Sequence, residues 1–92
     1  MKELLFFYLP TCPHCLLAER LIKDLIAETP VYTEIPITRI NEVKQRDLAE
    51  RYDYWYVPCF ILDGEKLHEG HAEKDDVRRV LDAALPFFHK AE

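Results

Sequence analysis

Nowhere in the 92 residues does an apolar run approach the ~20 positions that a membrane-spanning helix needs. Nor does the N-terminus carry a basic segment followed by a cleavable apolar stretch. The expectation from these two absences is a cytoplasmic protein that does not associate with membranes. A basic stripe is missing as well: 12 Lys and Arg stand against 17 Asp and Glu, a net charge of -5. Nucleic acid is therefore not an expected partner, and an anionic lipid surface is disfavoured. Internal repeats, low-complexity segments and linkers are lacking, so residues 1–92 are expected to form a single domain. Cysteine is scarce, and its count of three makes no even disulfide framework. In a cytoplasmic setting, a Cys-X-X-Cys near a β-α-β pattern reads as redox-active rather than structural.

What is present fits a folded, soluble chain: 49% hydrophobic and 32% charged residues. A chain of this size buries roughly two-thirds of the surface it exposes when unfolded, enough for one core. Its organising stretch is Phe6-Phe7-Tyr8-Leu9-Pro10-Thr11-Cys12-Pro13-His14-Cys15. Pro13 suits the first position of a helix, where a missing N–H costs nothing. Cys12 then falls at the N-cap, where unpaired backbone N–H groups and the positive end of the helix dipole favour an anion. Cys12 is thus placed to be a thiolate, the attacking species in thiol-disulfide exchange. Cys15 lies close enough to close a disulfide with it across one helical turn, and a protonated His14 would favour the anion further.

Residues 4–9 form a continuous apolar run bounded by Pro10, which predicts a strand buried on both faces near the middle of a sheet. After Pro13, Leu17, Leu21 and Leu25, with Ala18, Ile22 and Ile26 beside them, predict an amphipathic helix that stops near Glu28 or Thr29, ahead of Pro30. Alternation over residues 31–37 predicts a second strand, and Pro36 places it at an edge or at a bulge. Asn41 is the expected N-cap of a second helix reaching about Asp53, with Val43, Leu48, Ala49 and Tyr52 towards the core. Residues 57–62 predict a third strand, Asp63-Gly64 a tight turn, and residues 65–69 an antiparallel return. From about Glu73, the residues Val77, Val80, Leu81, Ala84 and Leu85 trace a last helix. Pro86 should end or bend it, leaving Phe87 and Phe88 to pack as a cap.

The order β-α-β-α-β-β-α, with the Cys-X-X-Cys at a strand-to-helix junction, resembles the minimal thioredoxin fold: α/β, with a four-stranded mixed sheet flanked by helices. Within that superfamily, Pro10-Thr11-Cys12-Pro13-His14-Cys15 and the strand before it are most similar to the glutaredoxins. Val57-Pro58 stands where the family has a cis-proline, and Gly70 where it has one or two glycines. The resemblance implies that Cys12 is the nucleophile and Cys15 the resolving thiol, supported by Pro13, His14 and Pro58; Cys59, directly after Pro58, is expected close to their sulfurs as a further supporting residue, where related proteins mostly carry a non-thiol residue. It also implies that Thr11, Val57, Gly70 and His71 lie on the substrate side, with the backbone of Val57 pairing an extended substrate. Leu9 stands where glutaredoxins usually carry a Lys, His71 replaces a second Gly, and Asp75 and Asp76 begin the last helix where that family binds a γ-glutamyl group. Phe6 occupies the place where thioredoxins bury an Asp, so water or the Cys12 sulfur must take the resolving thiol's proton.

Several residues have more than one reading. His14 is either a solvated helix residue with no partner or a stabiliser of the Cys12 thiolate. Cys59 is a small buried hydrophobe, a third exchanging thiol, or part of a soft-metal site whose ligand set would be incomplete. Tyr54-Trp55-Tyr56 faces the substrate groove or packs on the second helix. His68 and His71 bracket Gly70 without an evident ligating role, and His89 reads as a tail residue.

Two functions of different class follow. One is a dithiol thiol-disulfide oxidoreductase acting on disulfide-containing protein clients or glutathione. It would be a monomer serving cell redox homeostasis, with no tightly bound cofactor or metal. Its reductant would be glutathione or a thioredoxin-reductase-type donor. The other is a thioredoxin-fold binding module whose cysteines ligate a metal or iron-sulfur cluster. The dipeptide Pro13-His14 also occurs between the cysteines of the periplasmic disulfide-forming oxidants of this superfamily, so the pair is expected to be more oxidising than thioredoxin. Equilibration with a glutathione buffer checks this: a potential at or below the roughly -270 mV of thioredoxin would overturn it.

Overall fold

The computed structural model describes residues 3–89. Its four strands are β1 (Leu4–Tyr8), β2 (Ile37–Asn41), β3 (Cys59–Leu62) and β4 (Glu65–Glu69), and its helices are α1 (Pro13–Glu28), α2 (Arg46–Ala49) and α3 (Lys74–Phe88). The sheet runs β2-β1-β3-β4, with β1 parallel to β2 and antiparallel to β3, and β3 antiparallel to β4. This is the α/β architecture expected from the sequence.

β1 lies inside the sheet because all of Leu4, Leu5, Phe6 and Phe7 are buried. Alternate residues serve opposite faces. Leu4 and Phe6 pack with Phe60 and Leu62, against Ala18, Ile22 and Leu25 of α1 and Val77, Val80, Leu81 and Ala84 of α3. Leu5 and Phe7 pack with Ile40, Cys59 and Ile61 on the other face, where Ala49 covers them and Leu48, Tyr52 and Tyr54 pack alongside. Phe6 and Phe60 are paired across β1 and β3, and their rings stack 4.9 Å apart at 9°.

Residues 31–37 are not a strand. Pro30–Glu34 form a 3-10 helix, and β2 starts only at Ile37. Pro30 suits a helical first position, the Thr33 hydroxyl donates to the Pro30 carbonyl at 2.7 Å, and the two buried residues, Tyr32 and Ile35, are three apart, the repeat of this helix. Tyr32 also donates its hydroxyl to Asp82. β2 is an edge strand as expected, but Pro36 precedes it and only accepts, from the Leu4 N–H at 2.9 Å.

The second helix is also shorter than expected. Asn41 ends β2, and its side-chain oxygen accepts from the N–H groups of Val43 and Lys44 at 3.0 and 3.2 Å, holding a turn where the N-cap was expected. Only Arg46–Ala49 is helical, and Val43 is exposed rather than in the core. β3 begins at Cys59, two residues later than expected, directly after the cis Val57-Pro58 bond. Asp63 and Gly64 both have positive φ, 51° and 84°, as a tight hairpin of this hand needs. α3 is capped by reciprocal bonds between Glu73 and Asp76. It continues through Pro86, which lies so near the helix end that few bonds remain to be lost, and the His89 N–H closes the last turn on the Leu85 carbonyl at 2.8 Å. Phe88 packs on the core, whereas Phe87 is exposed, so only one of the two caps it. His89 is not a loose tail: its Nδ1 lies 2.8 Å from a Glu34 carboxylate oxygen.

Removing the Phe60 ring deletes a fully buried side chain and its stacked partner contact. Phe60→Ala should destabilise the fold by about 3 to 5 kcal/mol, read as a lowered urea midpoint with an unchanged slope.

Candidate functional site

The C-terminal end of β1 delivers the chain into a short loop, and the loop into α1. Cys12 is the N-cap of α1 and Pro13 its first residue. The Cys12 carbonyl accepts the N–H groups of Cys15 and Leu16, both at 3.0 Å, and its own N–H reaches the Leu9 carbonyl at 3.2 Å. Helical spacing separates the two thiols. Cys15, Ala18, Ile22 and Leu25 form the buried stripe of α1, so Cys15 is 2% exposed, while Cys12, outside that stripe, stays partly open to solvent.

Burial pushes the Cys15 thiol up to about 12. A hydrogen bond from the Leu9 backbone opposes that shift; the hydrogen-bonded Cys12 sulfur and, more weakly, the Glu42 carboxylate add to it. Phe6, where the resemblance leads one to expect an acid, is 1% exposed and packs in the core against Phe60.

Pro58 is buried behind the cis bond, and its carbonyl accepts the Gly70 N–H at 2.8 Å. Gly70 has φ 89°, a conformation that side chains rarely adopt, although a Cβ there would have room. Cys59 is fully buried, and its side chain shares the sheet face of Phe7 and Ile61, opposite the one that α1 covers. Burial, reinforced by Glu69 and weakly opposed by Lys66, raises its thiol to about 12. Among the described residues, no group of three or more His, Cys, Asp or Glu side chains is placed to hold a metal ion.

The aromatic run divides. Tyr54 turns inwards, its ring 4.8 Å from Phe7 and its hydroxyl donating to Glu42 at 2.6 Å; burial and that carboxylate raise its pKa. Trp55 and Tyr56 are 81% and 68% exposed. An open cleft of about 420 Å³ lies beside them, lined by Glu42, Val43, Arg46, Tyr52 and Trp55 among others, but the thiols do not line it.

Two constellations were missed from the sequence. The Glu69 carboxylate accepts from the backbone N–H groups of both Trp55 and Tyr56, the latter at 2.9 Å, and pairs with Lys66 at 2.7 Å. No local pattern announces this, because its partners are in a loop 13 and 14 positions away. The second joins His14 to His71, Nδ1 to Nδ1 at 2.8 Å, with His71 Nε2 also 2.5 Å from Glu73. His14 is therefore not a solvated residue without a partner.

A four-stranded mixed sheet, a Cys-X-X-Cys at the start of the first helix and a buried cis-proline just before β3 define a thioredoxin-fold dithiol protein. Over 79 residues the chain is 30% identical to the thioredoxin of Methanocaldococcus jannaschii, a match spanning 86% of this chain and 91% of that protein. It belongs to the thioredoxin family. No family model matches the sequence. Solved structures agree on the fold: a mutant thioredoxin from Halobacterium salinarum superposes with a TM-score of 0.66 at 23% identity, covering 99% of this chain and 78% of that one. Mitochondrial thioredoxin 3 from Saccharomyces cerevisiae gives 0.69 at 19%, covering 89% and 77%.

The Lys66 ammonium and the two loop N–H groups hold the Glu69 carboxyl down at about 2. In the unfolded chain it ionises near the usual glutamate value of about 4.3. Its contribution to stability is thus fully present above that value and is lost as pH falls towards 2, because the unfolded state takes up the proton first. Glu69→Gln should be less stable than the parent at pH 6, and the gap between their urea midpoints should close on acidification through this window.

Proposed function

We propose that the protein is a dithiol thiol-disulfide oxidoreductase acting on protein disulfides, with Cys12 as nucleophile and Cys15 as resolving thiol. The observation that carries this reading is the contrast between a partly exposed Cys12 at the N-cap of α1 and a buried Cys15 one turn on. Only the outer sulfur is open to a macromolecular disulfide, and the helix terminus there favours the anion that attacks.

The Cys12 thiolate attacks one sulfur of the client disulfide, forming a mixed disulfide and releasing the other sulfur as a thiolate. Cys15 then loses its proton and attacks Cys12, forming the Cys12-Cys15 disulfide and releasing the second client thiolate. Two electrons pass from the dithiol to the client, and the leaving thiolates are protonated in turn. Burial favours the protonated form of Cys15, so its attack on the mixed disulfide waits on loss of that proton.

Thr11 at the loop tip, the backbone of Val57 and the exposed rings of Trp55 and Tyr56 support a polypeptide client, through strand-like pairing and apolar contact. The glutaredoxin-like part of the reading, glutathione as the recycling thiol, is supported by the stretch from Pro10 to Cys15 and by Gly70. Against glutathione in a glutaredoxin-like pose, Asp76 accepts the Glu73 N–H at 2.9 Å, Asp75 pairs with Arg78 at 2.7 Å, and Leu9 offers no cation. A thioredoxin-reductase-type donor is the alternative that family membership supports. The reading in which the cysteines ligate a metal or cluster is not favoured by that membership.

Cys12→Ser should abolish reduction of a protein disulfide, and Cys15→Ser should instead accumulate a stable mixed disulfide at Cys12, seen as a mass increase that reductant reverses. A Cys12→Ser variant that keeps its turnover would sink the assignment. Parallel assays with glutathione and with a thioredoxin reductase identify the donor.

A further inference from the structure

His14 lies on the first turn of α1 and His71 in the link between β4 and α3, 57 positions apart. Their rings meet edge to face, centroids 4.9 Å apart at 83°, with the two Nδ1 atoms at 2.8 Å. On its far side His71 presents Nε2 to Glu73 Oε2 at 2.5 Å, and His68 Nε2 lies 2.9 Å from the His71 carbonyl.

Two ring nitrogens at that distance have room for one proton between them. An ionised Glu73 can only accept, so His71 carries a hydrogen on Nε2. Either His71 is neutral, its bare Nδ1 accepting from the Nδ1–H of His14, or His71 is an imidazolium donating to a bare His14 Nδ1. In the second case the hydrogen of His14 is on Nε2. Both rings cannot be imidazolium while the contact lasts, because two N–H groups would point at each other.

The geometry points to His71 as a positioning residue for the dithiol: backed by Glu73, it fixes which nitrogen of His14 bears hydrogen and limits the two rings to one positive charge on the helix turn that follows Cys12. This role rests on the reading of Cys12 as the attacking sulfur. The titratable groups on the segments that carry the pair are Cys12 and Cys15, on either side of His14 in the sequence at the start of α1, His68 on β4, and Glu73 and Asp76 at the start of α3, where Asp76 accepts the Glu73 N–H. The single contact between the imidazoles therefore joins the motif helix to the start of the last helix.

The test uses the whole chain, reduced and labelled with 15N in its histidines. Ring nitrogen shifts separate bare from protonated nitrogens, and the pH profile of Cys12 alkylation by iodoacetamide is followed between pH 5 and 8, with the modified site read by mass spectrometry. In His71→Gln the His14 nitrogens should move to the averaged pattern of a solvated imidazole, and the alkylation profile should leave that of the parent and move towards that of His14→Gln, by several-fold in rate. Glu73→Gln keeps both rings and an acceptor for the α3 cap, so it carries the test if His71→Gln does not fold; it should shift the His14 nitrogens and the profile in the same sense. Unchanged His14 shifts, or changed shifts with a profile that superimposes on the parent's, overturn the proposal. Labelling at a cysteine other than Cys12 refutes the reading of the dithiol and with it this role for His71, while the 15N shifts still report separately whether the rings are paired.

Discussion

Alternate side chains of β1 are buried on opposite faces, Leu4 and Phe6 under α1 and α3, Leu5 and Phe7 under the segment around α2. Such a strand can sit only inside the sheet, and a slip of one residue would exchange the two sets of contacts wholesale. The position at which the chain leaves the sheet, after Tyr8, is thereby fixed. So is the start of α1, because Cys15, Ala18, Ile22 and Leu25 must fall on the face that meets Phe6 and Phe60. The division of labour between the two thiols is a by-product of this packing. Cys15 belongs to the helix stripe that the core demands, and Cys12, three positions earlier and at the cap, does not. Chemistry that needs one open sulfur and one sheltered sulfur obtains both from the same apolar contacts that hold the sheet together.

A second set of constraints fixes the loop before β3. The cis Val57-Pro58 bond, the bond from Gly70 to the Pro58 carbonyl and the Glu69 carboxylate on the Trp55 and Tyr56 N–H groups tie the loop before β3 to the end of β4. An exposed aromatic pair on a loosely held loop would present a variable surface. Tied at its backbone, this one offers its rings in one place at little further cost in order. The loop is held chiefly through backbone groups, which leaves the rings of Trp55 and Tyr56 exposed.

The sequence was legible where interactions are short in range. The double-sided strand, the proline-initiated helix, the Asp63-Gly64 hairpin and the capped last helix all depend on neighbours within a turn or a strand pair, and they appear close to where periodicity puts them. It misled where two local patterns compete. Residues 31–37 alternate as a strand would, but Pro30 and the spacing of Tyr32 and Ile35 satisfy a 3-10 helix, and packing against α1 and α3 decides the matter. Asn41 does bind two backbone N–H groups, as a cap would, yet those groups belong to a turn. The contacts of His14 with His71 and of Glu69 with the aromatic loop were illegible, since each joins elements that are neighbours only once the sheet exists.

Phe6 shows how the fold and the chemistry constrain each other. An acid at this position would lie among Leu4, Phe60 and Leu62, where an unpaired carboxylate loses several kcal/mol of hydration. A buried phenylalanine instead contributes about 1.5 to 3 kcal/mol of burial, to which the stack on Phe60 adds about 0.5 to 1.5 kcal/mol. In a chain with room for one core, that difference is comparable with a sizeable part of the net stability. The consequence falls on Cys15. In place of an acid, the groups in hydrogen-bond contact with its sulfur are the Leu9 backbone and the Cys12 sulfur.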